Sequence, residues 1–161
     1  MPNILVVCTA NICRSPVGEA ILRARLQERG LHNWRVSSAG TWAMIERRAA
    51  RFSREILAEQ GLDLSAHQAR MIDEHMLAKA DLVLCMESGH VEALQTEFPA
   101  HAKKLYLLSE MVGRKYSISD PYGQPRDAYE RMVKELTSLI DDGLDRIVAI
   151  VEANHTGMQR V

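Results

Sequence analysis

A short apolar run, Asn3-Ile4-Leu5-Val6-Val7, leads directly into Cys8-Thr9-Ala10-Asn11-Ile12-Cys13-Arg14-Ser15, and Pro16 follows. The apolar run ends in β-branched residues and reads as a buried strand. Pro16 suits the first turn of a helix. The stretch between them is therefore a loop at a helix N-terminus. Backbone N–H groups at such an end have no intrahelical partners, and the helix dipole adds partial positive charge. Successive N–H groups form a nest for a tetrahedral oxyanion. Arg14 adds a planar fork that matches two phosphate oxygens. The same positive field favours a thiolate at Cys8. An anion cradle with a thiolate at its floor points to phosphate-ester chemistry. The plainer alternative is a buried structural cysteine near an arginine that pairs a surface carboxylate.

With 161 residues, 47% of them hydrophobic and 25% charged, the chain has the size and balance of one globular domain, 1–161. The net charge of −1 gives no reason to expect nucleic acid or an anionic membrane surface as partner. Any preference for phosphate must come from a local field. The start, Met1-Pro2-Asn3, lacks the basic region of a secretory signal, and no apolar run is long enough to enter a membrane. An odd number of cysteines, three, argues for a reducing compartment, so a cytoplasmic protein is expected. The six histidines are scattered, without HExxH or CxxC spacing, and neither a metal nor another cofactor is expected. Oligomeric state is not legible from one chain.

Strand and helix patterns alternate, which predicts an α/β fold with a parallel sheet. The first strand ends near Val7, and a helix over residues 16–29 is closed by Gly30. A strand is expected over 34–37, a polar loop after it, and a helix over 47–60 closed by Gly61. The run 81–86 is a third strand, 90–97 a helix, and 104–108 a short fourth strand. Residues 109–126 are polar, with Gly113, Pro121, Gly123 and Pro125, and read as a long loop of the functional kind. A final helix begins near Asp127. Its stripe of Tyr129, Met132, Val133, Leu136, Leu139, Ile140, Leu144, Ile147, Val148 and Val151 is core packing. In open parallel sheets ligands bind beyond the carboxyl ends of strands. The Cys8 loop, the loop after Ser37 and the segment after Met86 all fall on that rim.

The stretch Val7 to Pro16 closely resembles the phosphate-binding loop of the low molecular weight protein tyrosine phosphatases, whose pattern is Cys-x-Gly-Asn-x-Cys-Arg-Ser-Pro. Ser38-Ala39-Gly40-Thr41, Ser65-Ala66-His67-Gln68-Ala69-Arg70, Leu84-Cys85-Met86 and Asp120-Pro121-Tyr122-Gly123 follow in the family's order. The resemblance covers nearly the whole chain and looks bacterial. It implies a single three-layer domain with a four-stranded parallel sheet flanked by helices. It also implies hydrolysis of phosphotyrosine in proteins through a phosphocysteine on Cys8. Arg14 and the amides of Thr9, Ala10, Asn11, Ile12 and Cys13 would hold the phosphoryl oxygens. Asp120 would be general acid and then general base; on local sequence alone, it is equally a turn-capping residue. Tyr122 would line the mouth, with Trp42 also at the substrate. Asn11 suits a left-handed backbone position, and Ser15 can donate to the Cys8 sulfur. Ser38 and His67 enter the supporting network by resemblance. So does a reversible Cys8–Cys13 disulfide, against which stands a small packing residue. Cys85, inside an apolar strand, reads as inert core.

Two departures stand out. Ala10 occupies a glycine position, and a positive φ there would strain it by about 1 kcal/mol. In 41–54, Met44 replaces an expected aromatic, Trp42 comes earlier, and Glu46-Arg47-Arg48-Ala49-Ala50-Arg51 is basic and helix-prone. That cluster either favours acidic peptides or is a solvated helix face. Rival activities on the same scaffold are arsenate reduction, which needs a relay of thiols, and arginine dephosphorylation, whose members carry Thr at the site of Ile12. A non-catalytic phosphopeptide-binding or redox-sensing module is a third. By analogy with bacterial relatives, a tyrosine kinase is a candidate partner.

Overall fold

The computed structural model describes residues 1–159. Four parallel strands, β1 (Asn3–Cys8), β2 (Arg35–Gly40), β3 (Leu82–Cys85) and β4 (Leu105–Leu107), lie in the order β2-β1-β3-β4. β1 and β3 are the inner strands and are apolar nearly throughout, as strands covered on both faces must be. Alternation then divides their side chains. Ile4, Val6 and Cys8 join Leu82, Leu84 and Met86 in one core, while Leu5 and Val7 join Val83 and Cys85 in the other.

Five α-helices cover the two faces. α1 (Arg14–Glu28), α2 (Arg51–Glu59) and α5 (Arg126–Gln159) pack on the first core, and α3 (Glu74–Lys79) and α4 (Ser88–Glu97) on the second. The three-layer architecture is the one expected. α1 and α5 pack together, and Val17, Ile21, Leu136 and Ile140 are buried in the core they share. The exposed pair Arg25–Asp141 at 2.6 Å adds little beside that burial. Gly143 lets α5 pass close to the single-turn 3₁₀ segment Leu108–Val112, because a Cβ there would lie 2.7 Å from Met111 Cβ.

Several boundaries differ from those expected. α2 begins at Arg51, not near residue 47. Residues 46–50 are instead strapped in a non-helical path that leaves a turn at Glu46, φ +69°: Glu46 N donates to Ala69 O, Ala69 N to Arg47 O, and Ala50 N to Ile12 O at 2.8 Å. These tertiary bonds override the helical propensity of the Arg-Ala run, so the basic cluster is not a helix face over its first five residues. β2 runs on to Gly40, and α4 starts at Ser88, capped by Glu87. α3, with Asp73 accepting from Met76 N, is too short for its periodicity to show in sequence. The loop 109–126 is partly ordered by the 3₁₀ turn.

β2 is an edge strand, and its outer side is occupied. Arg23 of α1 donates to Val36 O at 2.8 Å, and the Arg70 guanidinium donates twice to Ser38 O, at 3.1 and 3.2 Å. A bridge between Gly40 and Met71 closes its end. Among the described residues, no helix is long and apolar enough to cross a membrane.

Candidate active site

The chain goes from β1 to β2 on one side and to β3 on the other, so the strand order reverses between β1 and β3. That switch point is where the end of β1 opens a crevice, and the loop after Cys8 fills it. The loop is turned inside out by its surroundings. The carbonyls of Cys8 and Thr9 accept from Thr41 N and Trp42 N at 3.0 and 2.9 Å. The Asn11 carbonyl accepts from His67 Nε2 at 2.7 Å, that of Ile12 from Ala50 N at 2.8 Å, and that of Cys13 from Ser53 Oγ at 3.0 Å. In a trans peptide the C=O of one residue and the N–H of the next point opposite ways. With these carbonyls held outward, the N–H groups of Thr9, Ala10, Ile12, Cys13 and Arg14 turn inward. Gly40 is required here, since a Cβ on it would lie 2.3 Å from Thr9 O.

Asn11 locks this geometry. It is fully buried with φ of +57°, the left-handed position that asparagine tolerates. Its Nδ2 donates to Ser15 Oγ at 2.7 Å and Ser38 Oγ at 2.9 Å, and its Oδ1 accepts from Arg70 N at 2.9 Å. Ser38 in turn donates to Glu19. Ser15 Oγ lies 3.0 Å from Cys8 Sγ. Having accepted from Asn11, Ser15 has its own proton to give to a thiolate. Ala10 is not at positive φ, so the departure from glycine is benign.

Arg14 is the largest buried polar side chain, 1% exposed. Its guanidinium is held on two sides: one terminal nitrogen donates to Ile118 O at 2.7 Å, and the other pairs with Glu87 at 2.7 Å and Asp120 at 3.6 Å. Its Nε has no protein partner. A buried donor of this kind costs about 1–3 kcal/mol unless something accepts from it, which suits an anion on the loop. The cavity above has a volume of about 530 Å³. Cys8, Arg14 and Asp120 line its floor and wall, with Ile12, Trp42, Met44 and Tyr122 around them. Asp120 Oδ1 also accepts from Tyr122 N at 3.1 Å, so this residue both caps its turn and faces the cavity. Trp42 and Tyr122 are 79% and 57% exposed, free to meet an incoming ring.

Cys13 lies under the loop, its Sγ 3.5 Å from Tyr129 Oη. Burial pushes its thiol up to about 11, against the lesser effect of the Tyr129 hydrogen bond. Cys85 is fully buried in β3 and burial raises it further, in keeping with inert core. Among the described residues no three His, Cys, Asp or Glu side chains are grouped to hold a metal ion.

Each side chain expected at the site lines the cavity or supports the loop, but among the amides the outward carbonyls turn in that of Arg14, and that of Asn11 is not in the set. Sequence reasoning missed Glu87 and His90, which arrive from the start of α4; Arg47, weighed only as part of the basic cluster, has its guanidinium 5.8 Å from the Tyr122 ring centre. The position of Glu87 just after a buried strand on the ligand rim was the available signal.

Residues 3–154 match the family model described as low molecular weight phosphotyrosine protein phosphatase. The chain is 33% identical over 148 residues to the probable low molecular weight protein-tyrosine-phosphatase EpsP of Ralstonia nicotianae, covering 92% of this chain and 97% of that one. It is 34% identical over 139 residues to the protein-arginine-phosphatase of Bacillus subtilis, covering 86% and 91%. Its fold is similar to the crystal structure of a low molecular weight protein tyrosine phosphatase from T. tengcongensis, with a TM-score of 0.86 at 36% identity and coverage of 91% and 99%.

Proposed function

The chain belongs to the low molecular weight phosphotyrosine protein phosphatase family, a family of hydrolases, and on that premise we propose that Cys8, Arg14 and Asp120 carry out its reaction on phosphotyrosine in proteins. The observation that carries the reading is the inverted loop, with inward N–H groups beside a buried Arg14 whose Nε is unpaired. Cys8 thiolate attacks phosphorus while the aryl P–O bond breaks. Arg14 and the loop amides hold the three equatorial oxygens, where charge spreads in the transition state. Asp120 gives its proton to the departing phenolate oxygen. It then takes a proton from a water that attacks the phosphocysteine, the P–S bond breaks, and phosphate leaves. Ser15 steadies the sulfur as attacker and as leaving group. Ser38 and His67 support the loop through Asn11. Ile12, which lines the cavity with no hydroxyl to offer a guanidinium, supports an aryl substrate.

We further propose that residues 1–161 form one phosphatase domain working in the reducing cytoplasm, with a tyrosine kinase among the candidate partner proteins. The buried core shared by α1, α2 and α5 supports the first point, and three free cysteines fit the second. Cys13, which shares the cavity lining with Cys8, is proposed to condense with a Cys8 sulfenic acid formed by peroxide, releasing water and giving a reversible disulfide.

The test is hydrolysis of an aryl phosphate, a phosphotyrosyl peptide and a phosphoarginyl peptide by the parent and by Cys8→Ser, Arg14→Lys and Asp120→Asn, all with chelator present. The aryl and tyrosyl substrates should turn over. Cys8→Ser should be inactive but folded, and Arg14→Lys severely impaired because an ammonium cannot make the fork. Asp120→Asn should lose about 10²–10⁴-fold on poor leaving groups and less on good ones. Faster turnover of phosphoarginine would move the activity to that substrate, and an active Cys8→Ser would overturn the mechanism.

A further inference from the structure

His90 is buried in the first turn of α4, 6% exposed, and its two ring nitrogens have different partners. Nδ1 lies 3.1 Å from the backbone N of Glu87. That N–H donates, so Nδ1 accepts and carries no proton. The proton of the neutral ring is then on Nε2, which stands 2.8 Å from Thr9 Oγ1. The Thr9 oxygen accepts it, and the Thr9 hydroxyl hydrogen must point elsewhere. Thr9 follows Cys8 directly and lines the cavity, and its backbone is fixed through Thr9 O to Trp42 N.

We infer that His90 is a positioning residue: by donating to Thr9 Oγ1, it turns the Thr9 hydroxyl into an extra donor toward the phosphoryl group held in the Cys8–Arg14 loop. The inference rests on the phosphatase reading above. It assigns to α4 a role in the loop beyond the Glu87–Arg14 pair. The helix cap and the loop donor share one imidazole, so the arrangement works with the neutral ring only. A proton on Nδ1 would face the Glu87 N–H; Nε2–H would still be a donor, but the cap bond that fixes the ring against Thr9 would be lost.

The charged groups facing His90 are Glu87, 3.5 Å from Nε2, Arg14 of α1, and Asp120 from the loop before α5. Burial, with Arg14 acting the same way, holds the ring below its ordinary 6.5 against Glu87 and Asp120. The sign follows: the contribution is complete above about 6.5 and is lost as pH falls through the lower value of the folded protein.

Two measurements test it on the full chain. The first is kcat/KM for an aryl phosphate across pH in the parent, Thr9→Val, Thr9→Ser, His90→Gln, and the Thr9→Val/His90→Gln double variant. Glutamine at this helix position keeps the cap to the Glu87 N–H without titrating. Thr9→Val should lose about ten-fold, the worth of a hydrogen bond to a charged group, and Thr9→Ser should recover most of it. His90→Gln should lose a comparable amount and flatten the acid limb. The double variant should be no worse than the more impaired single one. Additive losses, or Thr9→Val at the parental rate, would overturn the inference. A parent inactive on aryl phosphate would instead remove the phosphatase reading beneath it. The second measurement is ¹⁵N NMR of the His90 ring near neutral pH, which needs no activity. It should show Nε2 protonated and Nδ1 bare; the opposite tautomer, or a charged ring, would overturn the inference.

Discussion

Asn11→Ala tests whether one buried side chain holds the phosphate loop in shape. The alanine removes two bonds donated by Nδ2 and one accepted by Oδ1. Ser15 keeps Cys8 and Ser38 keeps Glu19 as partners, so those two losses cost about 1 kcal/mol each. Arg70 N–H is left without its acceptor, at about 1–3 kcal/mol. At φ of +57° alanine adds strain of roughly 1 kcal/mol. The sum is about 4–6 kcal/mol, a large share of the 5–15 kcal/mol that holds an ordinary domain together. Asn11→Gly suffers the same bond losses without the strain. It should therefore be about 1 kcal/mol more stable than Asn11→Ala, the reverse of the order expected in a helix or strand. Urea unfolding followed by circular dichroism, with m-values compared, measures both. A loss under 1 kcal/mol for alanine, or alanine more stable than glycine, would refute the argument that Asn11 fixes the loop.

Gly143→Ala should destabilise by about 1 kcal/mol: a helix-propensity gain of about 1 kcal/mol is outweighed by an overpacking cost of about 1–3 kcal/mol where Met111 backbone and Cβ stand within 3.3 Å. A calorimetric Tm at or above the parent's would show that the 3₁₀ turn yields. Cys13, with its thiol raised from 9.0 to about 11, contributes stability that is complete below about 9 and lost as pH rises through about 11. Cys13→Ser should therefore flatten part of the alkaline fall in stability over that range. An alkaline arm identical to the parent's would place the titration elsewhere.

The loop from Cys8 to Ser15 was legible because its parts are contiguous: strand, anion nest, arginine and helix start follow in one stretch of chain. The division of β1 and β3 between two cores followed from alternation in continuous apolar runs. Asp120 was legible only with the resemblance, since a turn-capping aspartate has the same local sequence, and the structure shows it in both positions. What escaped was set by long-range partners. The strap at 46–50 is not helical because Ala69 O and Ile12 O take the amides of Glu46 and Ala50, a fact absent from the local Arg-Ala run. Glu87 and His90 reach Arg14 and Thr9 only after β3 has been laid beside β1. The six residues of α3 gave periodicity too little length.

The arginines along β2 bear on the fate of the chain when it is stressed. An open strand edge is a template on which another chain can add, the first step of aggregation. Here Val36 O and Ser38 O are already taken, by Arg23 and Arg70. Arg70 also gives its backbone N–H to Asn11. A strand that pushes aside the whole 70–71 segment, guanidinium and backbone together, would withdraw a support of the phosphate loop in the same motion. Self-association through β2 by that route would cost the loop its shape, and loss of activity would be an early sign of a sheet edge becoming adhesive.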